Sequence, residues 1–364
     1  MYTFLITAVL ILVLPAGRAF GQQQTAAQWE IEKVAYGFPT KVSSCSQGSD
    51  HECYDYVIQE VEIRSGPKLK SKRSLHGSEI PRWSPDGQTI TAIGSEGLCS
   101  TCLVIWNSNG SGRRVLRWDW VSNSVWSPNG TKIAYVADRG HGSRVIATIN
   151  PDGSAIREIQ QLRCSVDDAL DWSPDGKEIA FTGCVSGNQP LVMIVAENDE
   201  GSRMLCTGRH PLWSPDGKQL LFLRDSTGRH PVTSIWVVDA DGRGARKLLD
   251  NEPAEVGLTW APSQNSIFFS STRHNKKHKS EIFRLNADGT GLQKIFPVKK
   301  DSRSYGYPIV SPDGREMEVL GSYGLVCQLV AGEPNCNLFL IDLTTHRSRR
   351  LWKGIDVSIF WQRK

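Results

Sequence analysis

Seven short segments of the chain carry side chains suited to binding a ligand, and each segment runs up to a recurring Trp or Val. They combine aromatic rings with carboxylates and basic groups, a mixture typical of sites that hold a sugar or a peptide. The sequence neighbours Asp167 and Asp168 diverge on an extended segment, unlike a working acid–base pair, so we expect binding and no catalytic residue. The candidate binding residues are Trp118, Trp120, Asp167, Asp168, Arg209, His210, Glu255, Tyr305, Tyr307 and Asp356.

The N-terminal segment predicts export. An apolar run over residues 4–15 is followed by small residues, and Ala19 and Gly21 occupy the positions of a cleavage site. The run is too short to cross a hydrocarbon core, which needs about 20 residues. We therefore expect a signal peptide over residues 1–21, a single domain over residues 22–364, and a periplasmic or secreted protein.

Nine cysteines suggest a second chemistry. An exported chain meets an oxidising compartment, so disulfides are the first interpretation. The expected pairs are Cys45–Cys53, Cys99–Cys102, Cys327–Cys336 and Cys164–Cys184, with Cys206 left as the free thiol. A Cys184–Cys206 pair is the competing arrangement.

Two other interpretations of the cysteines remain open. Cys45, Cys53, Cys99 and Cys102 have the ligand number of a four-thiolate zinc site. The sequence CSTC has the spacing of a redox motif, although such motifs act at a helix N-terminus. The pair His274 and His278 has no acidic residue at a fixed spacing, so we expect it to be solvated. We predict no metal and no cofactor.

A repeated pentapeptide positions all of these residues. WSPDG begins at Trp83, and related sequences begin at Trp126, Trp172, Trp213, Trp260 and Val310, at intervals of 43, 46, 41, 47 and 50 residues. A period of 40–50 residues is typical of four-stranded propeller blades. In each motif Pro, Asp and Gly favour a tight turn, and the Trp ends the preceding strand. We expect these residues to build the fold and to contact no ligand.

Short apolar segments after each motif predict hairpin strands, so the fold class is an all-β propeller. The C-terminal segment DVSIFWQRK begins one more repeat, and strands near the N-terminus can complete it. We therefore predict seven blades, closed by pairing of N- and C-terminal strands, with six blades as the alternative. In such a blade, the 2–3 loops and 4–1 connections share one face, and all nine cysteines and seven of the eight histidines map to it.

The repeat WSPDG…IAF…IWVVDADG…RKLL resembles the TolB-type, WD40-like propeller repeats of bacterial envelope proteins. The resemblance covers nearly the whole chain after the leader and implies a β-propeller of an exported envelope protein. Related propellers also accompany hydrolase domains, but the sequence has no G-x-S-x-G nucleophile motif.

The sequence thus predicts a non-enzymatic module of the bacterial envelope that binds a protein or peptide across the loop-bearing face. The alternative is a carbohydrate- or peptide-processing enzyme with its site at the channel mouth. A formal net charge of +4 is too small to imply nucleic acid, and the basic clusters fit solvated surfaces. We expect a monomer that does not span a membrane.

Overall fold

The computed structural model of the protein describes residues 29–45, 53–65, 71–76, 78–96, 99–140, 143–162, 169–184, 189–198, 201–226, 232–252, 257–262, 266–273, 279–298, 302–322, 329–330, 333–334, 336–353 and 355–363. All regular secondary structure in these residues is β-strand. No helix among them has the length and apolar character needed to cross a membrane.

Strands from both ends of the chain form one four-stranded sheet, here called the terminal sheet, in the order β3-β2-β1-β30. β1 pairs with β30 in antiparallel fashion from Trp29↔Arg363 to Gly37↔Ile355. The strands are β1 (Trp29–Cys45), β2 (Cys53–Ser65), β3 (Ser71–His76) and β30 (Ile355–Arg363).

Between β3 and β30, six four-stranded antiparallel sheets follow one another along the chain and form blades 1 to 6 of a β-propeller. Blade 1 has β4 (Ser78–Trp83), β5 (Thr89–Glu96), β6 (Cys99–Asn107) and β7 (Arg114–Arg117). Blade 2 has β8 (Trp120–Trp126), β9 (Ile133–Asp138), β10 (Arg144–Ile149) and β11 (Arg157–Leu162). Blade 3 has β12 (Leu170–Trp172), β13 (Glu178–Cys184), β14 (Pro190–Ala196) and β15 (Ser202–Thr207).

Blade 4 has β16 (Arg209–Trp213), β17 (Gln219–Asp225), β18 (Thr233–Asp239) and β19 (Arg246–Glu252). Blade 5 has β20 (Leu258–Trp260), β21 (Ser266–Ser271), β22 (Glu281–Asn286) and β23 (Gln293–Phe296). Blade 6 has β24 (Ser304–Val310), β25 (Glu316–Ser322), β28 (Cys336–Asp342) and β29 (Ser348–Lys353), and its β25–β28 loop contains the small hairpin β26 (Leu329–Val330) and β27 (Glu333–Pro334). The predicted all-β propeller is confirmed. The six consecutive blades agree with the six-blade alternative, and the main prediction of seven blades is not supported by this count.

The repeated pentapeptide makes the turn between the first two strands of a blade. In blade 1 the Ser84 hydroxyl donates to Asp86 Oδ1 at 2.6 Å and accepts from the Thr89 backbone N–H at 3.0 Å. The Gly87 N–H donates to the Ser84 carbonyl at 2.9 Å, and Gly87 has a φ of 65°, which Gly adopts without steric cost. The equivalent serines with the same hydroxyl bond are Ser127, Ser173, Ser214 and Ser311.

The motif tryptophans join neighbouring blades. Trp126, Trp172 and Trp260 are buried, and each donates its indole N–H to a backbone carbonyl of the preceding blade at 3.3–3.4 Å. Burying a large apolar side chain stabilises a fold by roughly 1.5–3 kcal/mol, so the repeat supplies both the turn and the inter-blade core. The prediction that the motif residues build the fold is consistent with this packing.

Candidate functional site

The polar groups on the two faces of the propeller form different kinds of hydrogen bond. The turn face carries the turns between first and second strands and between third and fourth strands. There Arg114 of β7 donates to the carbonyls of Pro151 and Asp152, the latter at 3.0 Å, in the next blade. Arg246 of β19 repeats the contact with Ala287 O at 2.9 Å and Asp288 O at 3.2 Å. On the turn face, arginine side chains therefore bind backbone carbonyls of the following blade at two blade junctions.

Acidic side chains on the turn face serve the turns themselves. The Ser154 hydroxyl donates to Asp152 Oδ1 at 2.6 Å, and the Thr290 hydroxyl donates to Asp288 Oδ1 at 2.7 Å. These hydrogen bonds favour the carboxylate forms and lower the pKa of Asp152 and of Asp288. Such acids are occupied within their own turns, so they offer little to a ligand.

The loop face carries the connections from second to third strands and from one blade to the next. Of the candidate binding residues, Trp118 and Trp120 are highly exposed there, with 61% and 58% of their surface accessible. Arg209, His210 and Tyr307 are partly exposed. Asp167, Asp168 and Glu255 lie outside the described residues, and Asp356 lies in β30, where the backbone alone is described.

Tyr305 is wrongly predicted as a residue of the channel mouth. It is 1% exposed, and its ring packs edge-on against Phe296 at 4.7 Å and against Phe339 at 5.6 Å between centroids. It belongs to the apolar core shared by blades 5 and 6. Tyr305 pairs with Gly321 of β25, and its ring occupies the space that a side chain at position 321 would fill, because a Cβ on Gly321 would lie 2.7 Å from the Tyr305 ring.

Two candidate residues adopt an unusual backbone conformation. His210 has a φ of 58° and Tyr307 has a φ of 54°, in the left-handed region that residues other than Gly rarely enter. Each lies three residues before the end of the first strand of its blade and precedes a proline. Backbone strain of about 1–3 kcal/mol persists only where surrounding contacts impose it, and it concentrates at functional sites.

Blade 3 supplies the contacts that hold the strained strand of blade 4. The His210 N–H donates to Thr182 Oγ1 at 2.9 Å, and the Trp213 N–H donates to Asp171 Oδ2 at 2.6 Å. Burial raises the pKa of Asp171 to about 7, against the opposing effect of the backbone hydrogen bonds. Sequence reasoning missed Thr182 and Asp171, because nothing in a single repeat signals a contact between blades.

Gly257 lies between His210 and Tyr307 in the sequence and immediately precedes the first strand of blade 5. A Cβ placed on Gly257 would lie 2.8 Å from the Tyr307 backbone nitrogen and 3.0 Å from its Cα. The Gly257 N–H donates to Ser270 Oγ at 3.0 Å, which fixes this close approach. His210, Gly257 and Tyr307 occupy equivalent positions in blades 4, 5 and 6, and we call this set the inner arc.

The charged residues beside the inner arc are paired. Arg209 donates from Nε to Asp225 Oδ2 at 2.7 Å and from a terminal nitrogen to Asp225 Oδ1 at 3.2 Å. The Thr233 hydroxyl also donates to Asp225 Oδ1, at 2.8 Å. A bidentate pair of this kind holds a fixed geometry. Arg209 therefore has a fixed position beside the inner arc.

The described cysteines divide into two kinds. Cys102 and Cys184 are disulfide-bonded, whereas Cys206 is a free thiol, partly buried in β15. Burial raises the pKa of Cys206 to about 11, although Arg224 opposes the shift, so the thiol is unreactive at neutral pH. The side chains of Cys45, Cys53, Cys99, Cys164, Cys327 and Cys336 lie outside the described residues, so the pairings remain predictions.

The disulfide bond of Cys102 is inconsistent with the four-thiolate zinc interpretation, which requires Cys102 as a thiolate ligand. The histidine-pair interpretation is not tested. His274 and His278 fall outside the described residues, as do the side chains of three of the four cysteines of the zinc alternative. Within the part of the chain whose side chains are described, no three or more His, Cys, Asp or Glu residues gather as metal ligands.

Comparison with known proteins shows which propellers this chain resembles. Residues 170–324, from blade 3 to the second strand of blade 6, match the family described as the TolB beta propeller domain. The Tol-Pal system protein TolB of Anaeromyxobacter dehalogenans is 34% identical over 130 residues, which is 36% of this chain and 29% of that protein. The chain thus spans less than a third of the length of this curated relative.

Solved structures show the same fold at low sequence identity. TolB from Acinetobacter baumannii has a TM-score of 0.52 and 14% identity, covering 87% of this chain and 81% of that one. The propeller domain of the Trilobed protease from Pyrococcus furiosus has a TM-score of 0.58 and 13% identity, covering 89% and 93%. Oligogalacturonate lyase from Vibrio parahaemolyticus has a TM-score of 0.57 and 13% identity, covering 90% and 87%. A fold shared by such different proteins leaves function to the site.

Proposed function

We propose that this protein is an exported module of the bacterial envelope that binds a protein or peptide segment on its loop face, at the inner arc. The observation that carries the proposal is the strained backbone of His210 and Tyr307. Thr182 and Asp171 of blade 3 bind the strand that contains His210, and Gly257 of blade 5 approaches the backbone of Tyr307. Strain maintained by neighbouring blades favours a site with a fixed shape. Pre-formed sites bind with less loss of conformational entropy.

The engaged carboxylates of the site favour binding over catalysis. Asp225 is held by Arg209 and Thr233, and Asp171 accepts the Trp213 N–H. A general acid or base must be able to reach a substrate proton. The similarity to the Tol-Pal system protein TolB supports an envelope role for this chain, and the predicted leader over residues 1–21 supports export to the periplasm or the medium.

We also propose that the terminal sheet acts as a seventh blade that closes the ring. β1 and β30 both contact β4 of blade 1, and β30 also contacts β28 of blade 6. A sheet in contact with the first and the last blade is well placed to cover two exposed edges.

A capture experiment tests the proposed binding site. Purified protein is fixed to a resin and exposed to envelope proteins of the source bacterium, and the retained proteins are quantified by mass spectrometry. Asn tolerates the left-handed region, so His210→Asn and Tyr307→Asn change the side chain and preserve the backbone. His346, with a φ of 55° on the turn face, gives the matched control His346→Asn.

We expect a defined set of envelope proteins to be retained by the wild type and by His346→Asn and lost from the two inner-arc variants. Equal retention by all four proteins would show that the inner arc is not the binding site. Circular dichroism of each variant checks that the fold is unchanged.

A further inference from the structure

Two tryptophans have no role in the propeller core. The motif tryptophans are at most 8% exposed, whereas Trp118 and Trp120 are 61% and 58% exposed on the loop face. They lie at the junction of blades 1 and 2, between the end of β7 and the start of β8. Large aromatic side chains left in water at such a junction are typical of a binding surface.

A network of ion pairs fixes the backbone between the two rings. Asp119 accepts from Arg117 Nε at 2.9 Å through Oδ2 and from Arg139 at 3.1 Å through Oδ1. Arg139 also pairs with Glu158 of β11. The four side chains carry two positive and two negative charges, so the network as a whole is neutral. Both oxygens of Asp119 are engaged, which restrains the residue that separates the tryptophans.

A buried hydroxyl lies next to this network. Tyr135 in β9 is 0% exposed, and its hydroxyl has no hydrogen-bond partner among the described residues. Its electrostatic neighbours are Arg117, Asp119, Arg139 and Glu158, and burial raises the pKa of Tyr135. Ala147 of β10 pairs with Tyr135 on one side and Glu158 on the other, which places Tyr135 and Glu158 on strands either side of β10. A buried hydroxyl without a partner is uncommon and marks a place where a polar group can bind.

We propose that Trp118, Trp120 and the ion-pair network with Tyr135 form a binding site for a neutral carbohydrate. Sugar rings have apolar faces that pack against aromatic rings, and their hydroxyls both donate and accept hydrogen bonds. The charged network offers guanidinium donors and carboxylate acceptors in a fixed arrangement. Its zero net charge favours a neutral ligand over an anionic one.

The size of the apolar surface favours a sugar over a second protein. The other large apolar side chains that are exposed in the described residues are Ile156, Met204, Leu292 and Val298. Ile156 lies immediately before β11 of blade 2, Met204 in blade 3, and Leu292 and Val298 beside β23 of blade 5. Among the described residues, the two tryptophans are thus the only exposed large apolar side chains at the junction of β7 and β8. A protein interface normally buries about 800 Å² on each partner around a continuous apolar centre.

The carbohydrate site is separate from the proposed protein-binding site. Trp118 and Trp120 belong to the junction of blades 1 and 2, whereas the inner arc belongs to blades 4, 5 and 6. The proposal therefore goes beyond the proposed function, and each can fail alone. His210→Asn and Tyr307→Asn should leave carbohydrate binding unchanged.

Calorimetric titration of the full protein after export tests the site with four defined probes. Cellohexaose, maltohexaose and N-acetylchitohexaose are neutral, and hexagalacturonate is the anionic counterpart. We expect at least one neutral probe to bind, and Trp118→Ala or Trp120→Ala to weaken that binding about tenfold each. Met204→Ala, at an equally exposed apolar residue of blade 3, is the control and should bind as the wild type does.

Two conservative variants test the polar half of the site. Tyr135→Phe removes a hydroxyl that makes no hydrogen bond to the described residues, so it should keep the thermal stability and weaken sugar binding about threefold. Glu158→Gln leaves the network with one net positive charge, so it should raise the affinity for hexagalacturonate relative to the neutral probe.

Four results would overturn the proposal. They are no binding of any neutral probe by folded protein, binding of hexagalacturonate alone, neutral-probe binding that survives both tryptophan variants, and neutral-probe binding unchanged in Tyr135→Phe. A photo-crosslinker at position 118 that captures an envelope protein instead of a sugar would assign the tryptophan pair to a protein interface.

Discussion

The turn face and the loop face of this propeller are built from the same strands, yet they use their polar groups differently. On the turn face each Ser-Pro-Asp-Gly turn closes on itself, as Ser84 and Asp86 do, and arginines such as Arg114 bind the next blade. On the loop face His210 and Tyr307 are strained, and Trp118 and Trp120 are exposed. Repetition therefore secures the fold on one face, and departures from the repeat on the other face supply the residues of the proposed binding sites.

The largest effect is expected from removing the strand that joins the two chain ends. Deleting residues 355–364 leaves β1 unpaired along the ladder from Trp29 to Gly37, so an edge is exposed. We expect the free energy of unfolding to fall by about 5 kcal/mol, a large share of the stability of a typical protein. Urea unfolding followed by circular dichroism measures it, with deletion of Lys364 alone as the control. A loss below about 1 kcal/mol would refute the closing role.

A second prediction concerns the close approach in the inner arc. Gly257→Ala places a Cβ 2.8 Å from the Tyr307 backbone nitrogen, so the backbone of blade 6 must move. We expect a destabilisation of about 3 kcal/mol, as for overpacking elsewhere. Gly306→Ala is the matched control, because its nearest atom, Ser270 Oγ, lies 4.0 Å from the new Cβ. Equal thermal stability of the two variants would argue against a rigid arc.

The third prediction is a pH dependence that originates at Asp171. Its pKa is raised from 3.8 to about 7 in the fold, so the protonated form is the one that folding favours. The stability due to this group is therefore full below pH 3.8 and is lost as the pH rises through 7. A complete shift of this size corresponds to about 4 kcal/mol, and partial contact with solvent reduces our expectation to about 2 kcal/mol.

Asp171→Asn keeps an oxygen that can accept the Trp213 N–H and removes the titration. Relative to the wild type, this variant should gain about 2 kcal/mol of stability between pH 5 and pH 8. Denaturant midpoints measured across this range provide the comparison. A constant difference at all pH values would mean that Asp171 ionises normally.

The smallest expected effect belongs to a single turn. Ser173→Ala removes the hydroxyl that donates to Asp175 at 2.7 Å and accepts from the Glu178 N–H at 2.9 Å. We expect a loss of about 1 kcal/mol, the usual net value of a hydrogen bond, and no change in ligand capture. Altered ligand capture by this variant would show that a turn-face residue contributes to binding, contrary to the proposed division between the two faces.

Sequence reasoning succeeded where the repeat itself carries the information. The pentapeptide fixed the ends of the first strands at Trp83, Trp126 and their equivalents, because the turn and the tryptophan act within one repeat and its neighbour. Trp118 and Trp120 are exposed, and their role in binding stays a prediction.

The remainder depends on contacts between strands and between blades. Tyr305 was misassigned because its burial depends on Gly321 of the neighbouring strand and on the rings of Phe296 and Phe339. Asp171 and Gly257 went unnoticed because their partners, Trp213 and Tyr307, belong to the following blades. Such contacts depend on the angle between blades, which a repeat period does not specify.

Photo-crosslinking in the source bacterium tests the central claim most directly. The protein is made with benzoylphenylalanine at position 307 or at position 346, both of which have left-handed backbone but lie on opposite faces. The account predicts a crosslinked envelope protein from position 307 and none from position 346. Crosslinking from position 346 alone, or equally from both positions, would contradict the assignment of binding to the loop face.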